Sequence, residues 1–204
     1  MKSLNTYINE GLVDWSDDDK LNKSVTNSLK NEIFNLIKAN THDKVYQNKL
    51  KFDFSTNPVT VNYDGDIKYR FDVLSLTNEL FQWGEVMGDF DCKACYRLEN
   101  LKGSPNKVGG NFNCVNCSQL KSLDGAPEEV GRNFICSDCK LLKNLEGAPN
   151  KVGGNFICSN CKSLMTIKGA PKEVGKDFDC RNCGAQFIGN NVKKVSNVKR
   201  EIFC

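Results

Sequence analysis

The chain has 204 residues, of which 28 are Lys or Arg and 25 are Asp or Glu, so its formal net charge is +3. This length can bury a real core, and such a balanced charge does not by itself indicate a nucleic-acid or membrane partner. No apolar run approaches the ~20 residues that span a bilayer, and no secretory signal is evident. We therefore expect neither a transmembrane segment nor a signal peptide. The eleven cysteines are odd in number in a chain with intracellular character, which argues against a disulfide framework.

The first twelve residues, MKSLNTYINEGL, place their apolar side chains on one helical face: Leu4, Tyr7, Ile8 and Leu12. This segment resembles the capsid-targeting leader of internal head proteins in large contractile-tailed phages. Such leaders are cut after an apolar-x-Glu triplet and before a small residue, and INEG at 8–11 fits that pattern. The resemblance implies that residues 1–10 are a leader cleaved between Glu10 and Gly11, and that the protein is packaged in a phage head. A plain amphipathic N-terminal helix is the alternative interpretation.

Residues 11–60 are predicted to form an N-terminal cap. The segment 16–40 begins with Ser and three Asp residues, typical of a helix N-terminus, and carries one apolar stripe: Leu21, Val25, Leu29, Ile33, Leu36 and Ile37. The segment 49–63 reads as two strands around a Ser-Thr-Asn-Pro turn. Because the repeats that follow would form a stack with an exposed first unit, we expect the helix and hairpin to cover it.

A repeat of 22 residues occupies the middle of the chain. Five C-x-x-C pairs begin at Cys92, Cys114, Cys136, Cys158 and Cys180, and each is preceded by a Phe two residues earlier. Leu, Pro and Val recur in the same register. A fixed period of this size indicates stacked units. An imperfect unit, VNYDGDIKY, lies upstream at 61–69, so we assign residues 61–187 to the repeats, with Cys-containing repeats from residue 88.

One unit, GNFNCVNCSQLKSLDGAPEEVG at 110–131, predicts a coil with one short strand. Phe112 and Cys114 alternate with neighbours on the opposite face, and Gly-Ala-Pro at 125–127 turns the chain. Since a coil of this size cannot bury its own apolar face, the units are predicted to stack at ~4.8 Å per strand. The predicted fold class is a mainly β solenoid, a parallel-stranded repeat stack with a small α+β N-terminal cap.

The core pattern FxCxxCxxLxxL resembles the leucine-rich repeat, L-x-x-L-x-L-x-x-N/C-x-L, with Phe and the first Cys in strand positions and the second Cys at the turn. The GAPxxV segment resembles the LPxxL segment of short bacterial repeats. The stretch LEGAPNKVGGNFICSNCKSL is similar to repeat proteins of tailed phages. The resemblance covers about residues 61–187 and implies a leucine-rich-repeat-like solenoid, but no established activity.

Three hypotheses account for the ten paired cysteines. In the first, the first Cys is a small core residue and the second donates weakly to a backbone carbonyl at the turn, so all ten are reduced and metal-free. In the second, adjacent repeats hold zinc, but five pairs leave one unmatched, and ~4.8 Å stacking exceeds the ~3.8 Å sulfur spacing of tetrahedral zinc. In the third, the pairs are redox centres, which normally open a helix in a βαβ unit.

We favour the first hypothesis and predict no metal ligands and no cofactor. Cys204 lies outside the register near the terminus, so it is predicted to react first with a thiol reagent.

No catalytic constellation is evident. His42 is the only histidine, and no phosphate-binding loop is present, so no enzyme activity is expected. Solenoids present an extended sheet face that binds proteins. The outward strand positions of the middle repeats predict an apolar patch with a polar rim, and the candidate binding residues are Asn113, Val115, Asn133, Ile135, Ser137, Asn155, Ile157 and Ser159. The alternative interpretation is that the β-branched residues merely favour strands.

The repeat pattern ends after Phe187, and residues 188–204 are predicted to form a C-terminal cap. The chain is therefore predicted to be a non-enzymatic protein-binding solenoid that engages a host or antiviral-defence protein in the host cytoplasm, and that is packaged in the phage head if the leader is genuine. Neither nucleic-acid nor membrane binding is expected. Two alternatives stay open: a zinc-stapled structural or nucleic-acid-binding repeat protein, and a passive internal head protein.

Overall fold

The computed structural model describes residues 20–42, 44–69, 73–184 and 197–203. Within them, one helix, α1 (Lys20–Asn40), and a 3-10 turn (Gln47–Lys49) precede a parallel β-solenoid of about six turns. The predicted fold class is therefore confirmed. No helix in this described part of the chain is long and apolar enough to cross a membrane.

The strands of the described residues form two seven-stranded sheets. The first sheet contains, in spatial order, β1 (Leu50–Asp53), β2 (Val59–Tyr63), β4 (Phe81–Val86), β6 (Lys107–Val108), β8 (Glu129–Val130), β10 (Lys151–Val152) and β12 (Glu173–Val174). The second contains β3 (Ile67–Lys68), β5 (Phe90–Asp91), β7 (Phe112–Asn113), β9 (Phe134–Ile135), β11 (Phe156–Ile157), β13 (Phe178–Asp179) and β14 (Ile202–Phe203). We call 88–109, 110–131, 132–153 and 154–175 coils 1 to 4, and coil 5 begins at residue 176.

Each Cys-containing coil from 1 to 4 carries two short strands, whereas the sequence predicted one. The additional strand contains the recurring Val, as in Val130 of β8, which is buried while the preceding Glu129 is exposed. Strand β8 pairs in parallel with β6 and β10, so Val130 lies between Val108 and Val152. Alternation over only two residues is too short to be recognised as a strand in the sequence.

A stack of phenylalanine rings runs through the core along the solenoid axis. The rings of Phe90, Phe112, Phe134, Phe156 and Phe178 follow one another at centroid separations of 5.1–5.3 Å, with interplanar angles of 6–12°. All five side chains are fully buried. Tyr69 packs against Phe90 at a centroid distance of 5.4 Å with its ring tilted by 51°, and its hydroxyl accepts a 2.9 Å hydrogen bond from the indole N–H of Trp83. The same position in successive coils therefore stabilises the fold both by burying apolar surface and by ring stacking.

Phe134→Ala is expected to lower the free energy of unfolding by about 3–5 kcal/mol, because the ring has a stacked neighbour on both faces and the cavity cannot close without moving two coils. Urea unfolding followed by far-UV circular dichroism measures this loss. Phe134→Leu is the matched control, since it keeps most of the apolar volume and should cost clearly less. A loss below about 1 kcal/mol for the Ala variant would contradict the stacked core.

The turn inside each C-x-x-C pair has a left-handed residue. Asn116, Asp138, Asn160 and Asn182 occupy this position in coils 2 to 5 with φ of 57–61°. Asn and Asp tolerate this region because their short polar side chains bond locally. Coil 1 carries Ala94 there, with φ of 56°, and alanine has no such compensation. The Gly of each Gly-Ala-Pro or Gly-Ser-Pro turn also has positive φ, and a Cβ on Gly125 would collide with the backbone of Lys102.

Ala94→Asn is expected to raise the free energy of unfolding by about 0.5–1 kcal/mol, because it removes an alanine from the left-handed region. The reverse change in coil 2, Asn116→Ala, should lower it by a similar amount. Both shifts are measurable by thermal and urea unfolding of the single variants. Destabilisation by Ala94→Asn would show that the turn of coil 1 differs from those of the other coils.

Both ends of the stack are covered by segments of the chain. At the N-terminal end β1 pairs antiparallel with β2, as the predicted hairpin requires, and α1 buries Leu29, Ile33 and Ile37. At the other end β14 pairs in parallel with β13, and Val198 bridges Val174, so residues 197–203 extend both sheets. The predicted leader at 1–10, the predicted helix start at 16–19 and most of the predicted C-terminal cap lie outside the described residues.

Candidate functional site

The paired cysteines lie inside the solenoid, where they link successive coils. In coils 2 to 5 the second cysteine of the pair donates its thiol hydrogen to the carbonyl oxygen of the first cysteine one coil earlier, at 3.1–3.2 Å. Cys117 bonds to Cys92 in this way, and Cys139 bonds to Cys114. The sequence prediction of a buried first Cys and a thiol-to-carbonyl bond from the second is confirmed.

One cysteine departs from the predicted pattern. Nine of the paired cysteines are free thiols, but Cys180 is disulfide-bonded. The prediction that all ten are reduced is therefore wrong at Cys180. Its neighbour in the stack is the C-terminal segment, since its backbone N–H donates to the carbonyl of Phe203 at 2.7 Å. Cys204, predicted to be the most reactive thiol, lies outside the described residues.

The chemistry of the free thiols follows from their burial. Burial raises the pKa of the Cys114 and Cys136 thiols well above the usual range, so both stay protonated at neutral pH. Cys183 is only half-buried, and a side-chain hydrogen bond in which its sulfur accepts from the Cys158 thiol lowers the pKa of the Cys183 thiol. In the part of the chain that the structure describes, no three His, Cys, Asp or Glu side chains are grouped so that they could hold a metal ion.

Among the described cysteines, Cys183 is expected to react first with a thiol reagent, because it is the least buried free thiol and has a lowered pKa. Its alkylation should persist to a lower pH than that of an ordinary cysteine, since the reactive thiolate forms as the pH rises through the thiol pKa. Peptide mapping after brief iodoacetamide treatment at several pH values measures the order, and Cys183→Ser should remove the fast phase. Equal rates for Cys136 and Cys183 would contradict the burial of the stack.

The predicted binding face is the outer surface of the second sheet, and its first row of side chains forms a ladder. The side-chain oxygen in each coil accepts the backbone N–H of the next coil: Asp89 from Asn111 at 2.7 Å, Asn111 from Asn133 at 3.1 Å and Asn133 from Asn155 at 2.8 Å. Asp177 donates likewise to Asn155 at 3.1 Å. Asn133 and Asn155, predicted as binding residues, therefore have a structural role in holding the coils together.

The second row contains the predicted apolar pair. Asn113 and Asp179 accept the backbone N–H two residues later, Val115 at 3.1 Å and Arg181 at 3.0 Å, and so close a local turn. Coils 3 and 4 carry Ile135 and Ile157 instead, which are partners in the parallel register and half-buried on the outer face. An isoleucine side chain has no oxygen that could accept this backbone N–H. Ile135 and Ile157 therefore do not have the local structural role that Asn113 and Asp179 have.

The third row places Val115 and Ser159 half-buried at the surface but buries Ser137, whose hydroxyl lies 3.0 Å from that of Ser159. Of the eight predicted residues, the apolar side chains left at the surface for a partner are therefore Val115, Ile135 and Ile157, whereas Asn113 and Ser159 are half-buried and already hydrogen-bonded. The alternating pattern within one repeat does not show that Asn133, Asn155 and Ser137 are engaged in hydrogen bonds, because those bonds are made between coils.

Charged side chains bound this face towards the C-terminal end. The guanidinium of Arg181 holds Asp179 through bonds of 3.0 and 2.7 Å and lowers the pKa of that carboxyl. The same guanidinium lies 5.1 Å from the ring centroid of Phe203. Asp179 and Arg181 thus form an ion pair at the polar edge of this face, beside the uncharged centre at Ile135 and Ile157.

Several exposed apolar residues lie beyond this face and were not predicted from the sequence, and two of them lie in coils 3 and 4. Leu141 and Met165 are 37% and 47% exposed. Position-by-position comparison of the coils would have found them, since Gln119 and Ser163 occupy the equivalents of Leu141, and Lys121 and Lys143 those of Met165.

Comparison with known proteins adds no further assignment: no protein-family model, curated protein or solved structure matches the chain.

Proposed function

We propose that this chain is a non-enzymatic protein-binding solenoid whose partner contacts the outer face of the second sheet. The observation that carries the proposal is the pair Ile135 and Ile157. They lie side by side on the outer face, at positions where neighbouring coils place Asn113 and Asp179. An apolar pair that local structure does not need, centred between polar side chains, is typical of the centre of a protein interface.

The scaffold supports recognition through side chains rather than through an added strand. Strands β5 to β11 lie inside their sheets, where both edges of each strand are hydrogen-bonded to neighbouring coils. Among the described residues, every buried side-chain nitrogen and oxygen has a hydrogen-bond partner. The face is therefore rigid before it binds, which reduces the entropy lost on association.

A role without catalysis fits the chemistry of the described residues. His42 is exposed in the N-terminal cap, and the deeply buried thiols of Cys114 and Cys136 are protonated at neutral pH and unsuited to attack a substrate. The resemblance of the repeats and of residues 1–10 to proteins of tailed phages supports a host or antiviral-defence protein as the partner. On that proposal the protein acts in the host cytoplasm and reaches it from the phage head.

The double variant Ile135→Asn with Ile157→Asn tests the face. Asparagine already occupies this row at Asn113, so we expect a loss in the free energy of unfolding of no more than about 2 kcal/mol. Binding should weaken at least tenfold, roughly 1.4 kcal/mol, because truncation costs most at the centre of an interface. The measurement is capture from bacterial lysate with quantitative mass spectrometry, followed by titration of the purified partner.

Lys151→Ala is the matched control, because Lys151 is exposed on the outer face of the first sheet; this variant should retain the partner. A partner bound equally by the double variant would show that another surface is used. A stability loss as large as that of Phe134→Ala would mean that the inner and outer faces are reversed. Capture of no protein that depends on Ile135 and Ile157 would favour a passive head component.

A further inference from the structure

A second exposed surface lies beyond the C-x-x-C turns of coils 3 and 4. It consists of five exposed residues, which we call the turn ridge: Lys140, Leu141, Lys143, Lys162 and Met165. The two coils are in register here, because the backbone N–H of Met165 donates to the carbonyl of Lys143 at 3.1 Å. The Met165 side chain crosses to coil 5, where a Cβ on Gly184 would lie 2.6 Å from its sulfur.

The apolar members of the ridge are not needed by the fold. The positions equivalent to Leu141 carry Arg97, Gln119 and Ser163, and those equivalent to Met165 carry Glu99, Lys121 and Lys143. Coils with polar residues at these positions have the same strands and turns. Leu141 and Met165 nevertheless remain 37% and 47% exposed, so a partner that covers them would remove apolar surface from water.

The charged members of the ridge lack the acidic neighbours that other lysines on the coils have. Lys102, Lys107, Lys121 and Lys168 each pair with an Asp or Glu one coil away, at 2.7–3.5 Å. None of the ion pairs among the described residues includes Lys140, Lys143 or Lys162. The Lys162 ammonium donates to the carbonyl of Asn182 at 3.0 Å, which leaves its charge uncompensated.

The lysines of the ridge also neighbour one another. Lys162 follows Lys140 by one repeat. Like charges on adjacent strands or coils repel, so the ridge has an excess positive potential that carboxylates would relieve. Aliphatic side chains between lysines do not provide the aromatic stacking surfaces typical of single-stranded nucleic-acid sites.

We infer that the turn ridge is a docking site for an acidic protein segment that also carries aliphatic side chains. Carboxylates of the segment lie near Lys140, Lys143 and Lys162, and its aliphatic groups cover Leu141 and Met165. This surface is separate from the Ile135 and Ile157 pair and does not depend on that pair binding a partner.

The test uses the full chain and a fluorescein-labelled peptide built from Glu-Glu-Leu-Leu units, with fluorescence anisotropy at low salt. We expect saturable binding that weakens as NaCl is raised through about 0.1 M, where the Debye length falls to about 10 Å. Lys140→Gln with Lys162→Gln should weaken binding at least tenfold, and Leu141→Ser with Met165→Ser should weaken it as well. The matched control, Lys151→Gln with Lys172→Gln, changes the net charge equally and should leave binding within about twofold.

Several outcomes would overturn the inference. These are no saturable binding below about 1 mM peptide, an equal loss in the control variant, or equal binding of a peptide with Gln in place of Glu. Tighter binding of oligouridylate or of phosphatidylserine vesicles would assign the ridge to nucleic acid or membrane instead. Loss of peptide binding in Ile135→Asn with Ile157→Asn would place the peptide on the second-sheet face, whereas failure of the ridge variants alone leaves the proposed function unaffected.

Discussion

The structure depends on the in-register stacking of identical side chains between coils. The phenylalanine rings from Phe90 to Phe178 are separated by 5.1–5.3 Å, close to the ~4.8 Å between hydrogen-bonded strands. Ring contact and backbone pairing can therefore be satisfied together only if every coil has the same length. A coil with one residue more or fewer would displace Phe, Cys, Leu and Val from their rows, which is why the period of 22 is kept through all five Cys-containing repeats.

Polar contacts between coils add to the stability that the narrow apolar core provides. Side-chain oxygens of Asp89, Asn111 and Asn133 accept backbone N–H groups of the next coil, and the second cysteines donate to carbonyls of the previous one. On the outer face of the first sheet, charges alternate in sign from coil to coil: Glu85, Lys107, Glu129, Lys151 and Glu173. A slip by one repeat would place like charges opposite one another, so this row favours the correct register.

Since the repeated positions maintain the fold, positions where coils differ on the outside are free to carry function. Coils 3 and 4 contain both departures: the Ile135 and Ile157 pair on the second sheet, and the ridge that includes Leu141 and Met165. The first departure was predictable because period-two alternation beside Phe134 and Phe156 places the isoleucines outside. The second was not predicted, because the segment after the C-x-x-C turn has no regular alternation from which exposure can be inferred.

The sequence by itself determined the repeat length, the solenoid class, the inward direction of Phe and Cys, and the thiol-to-carbonyl role of the second Cys, since each follows from a spacing repeated several times. Only the tertiary structure decided that the Val segment is a second strand, that Asn133 and Asn155 hold the coils together, that Ser137 is buried and that Cys180 is disulfide-bonded. The physical reason is the same in each case. These properties depend on atoms one coil away or at the end of the stack, and a pattern within one repeat contains no information about either.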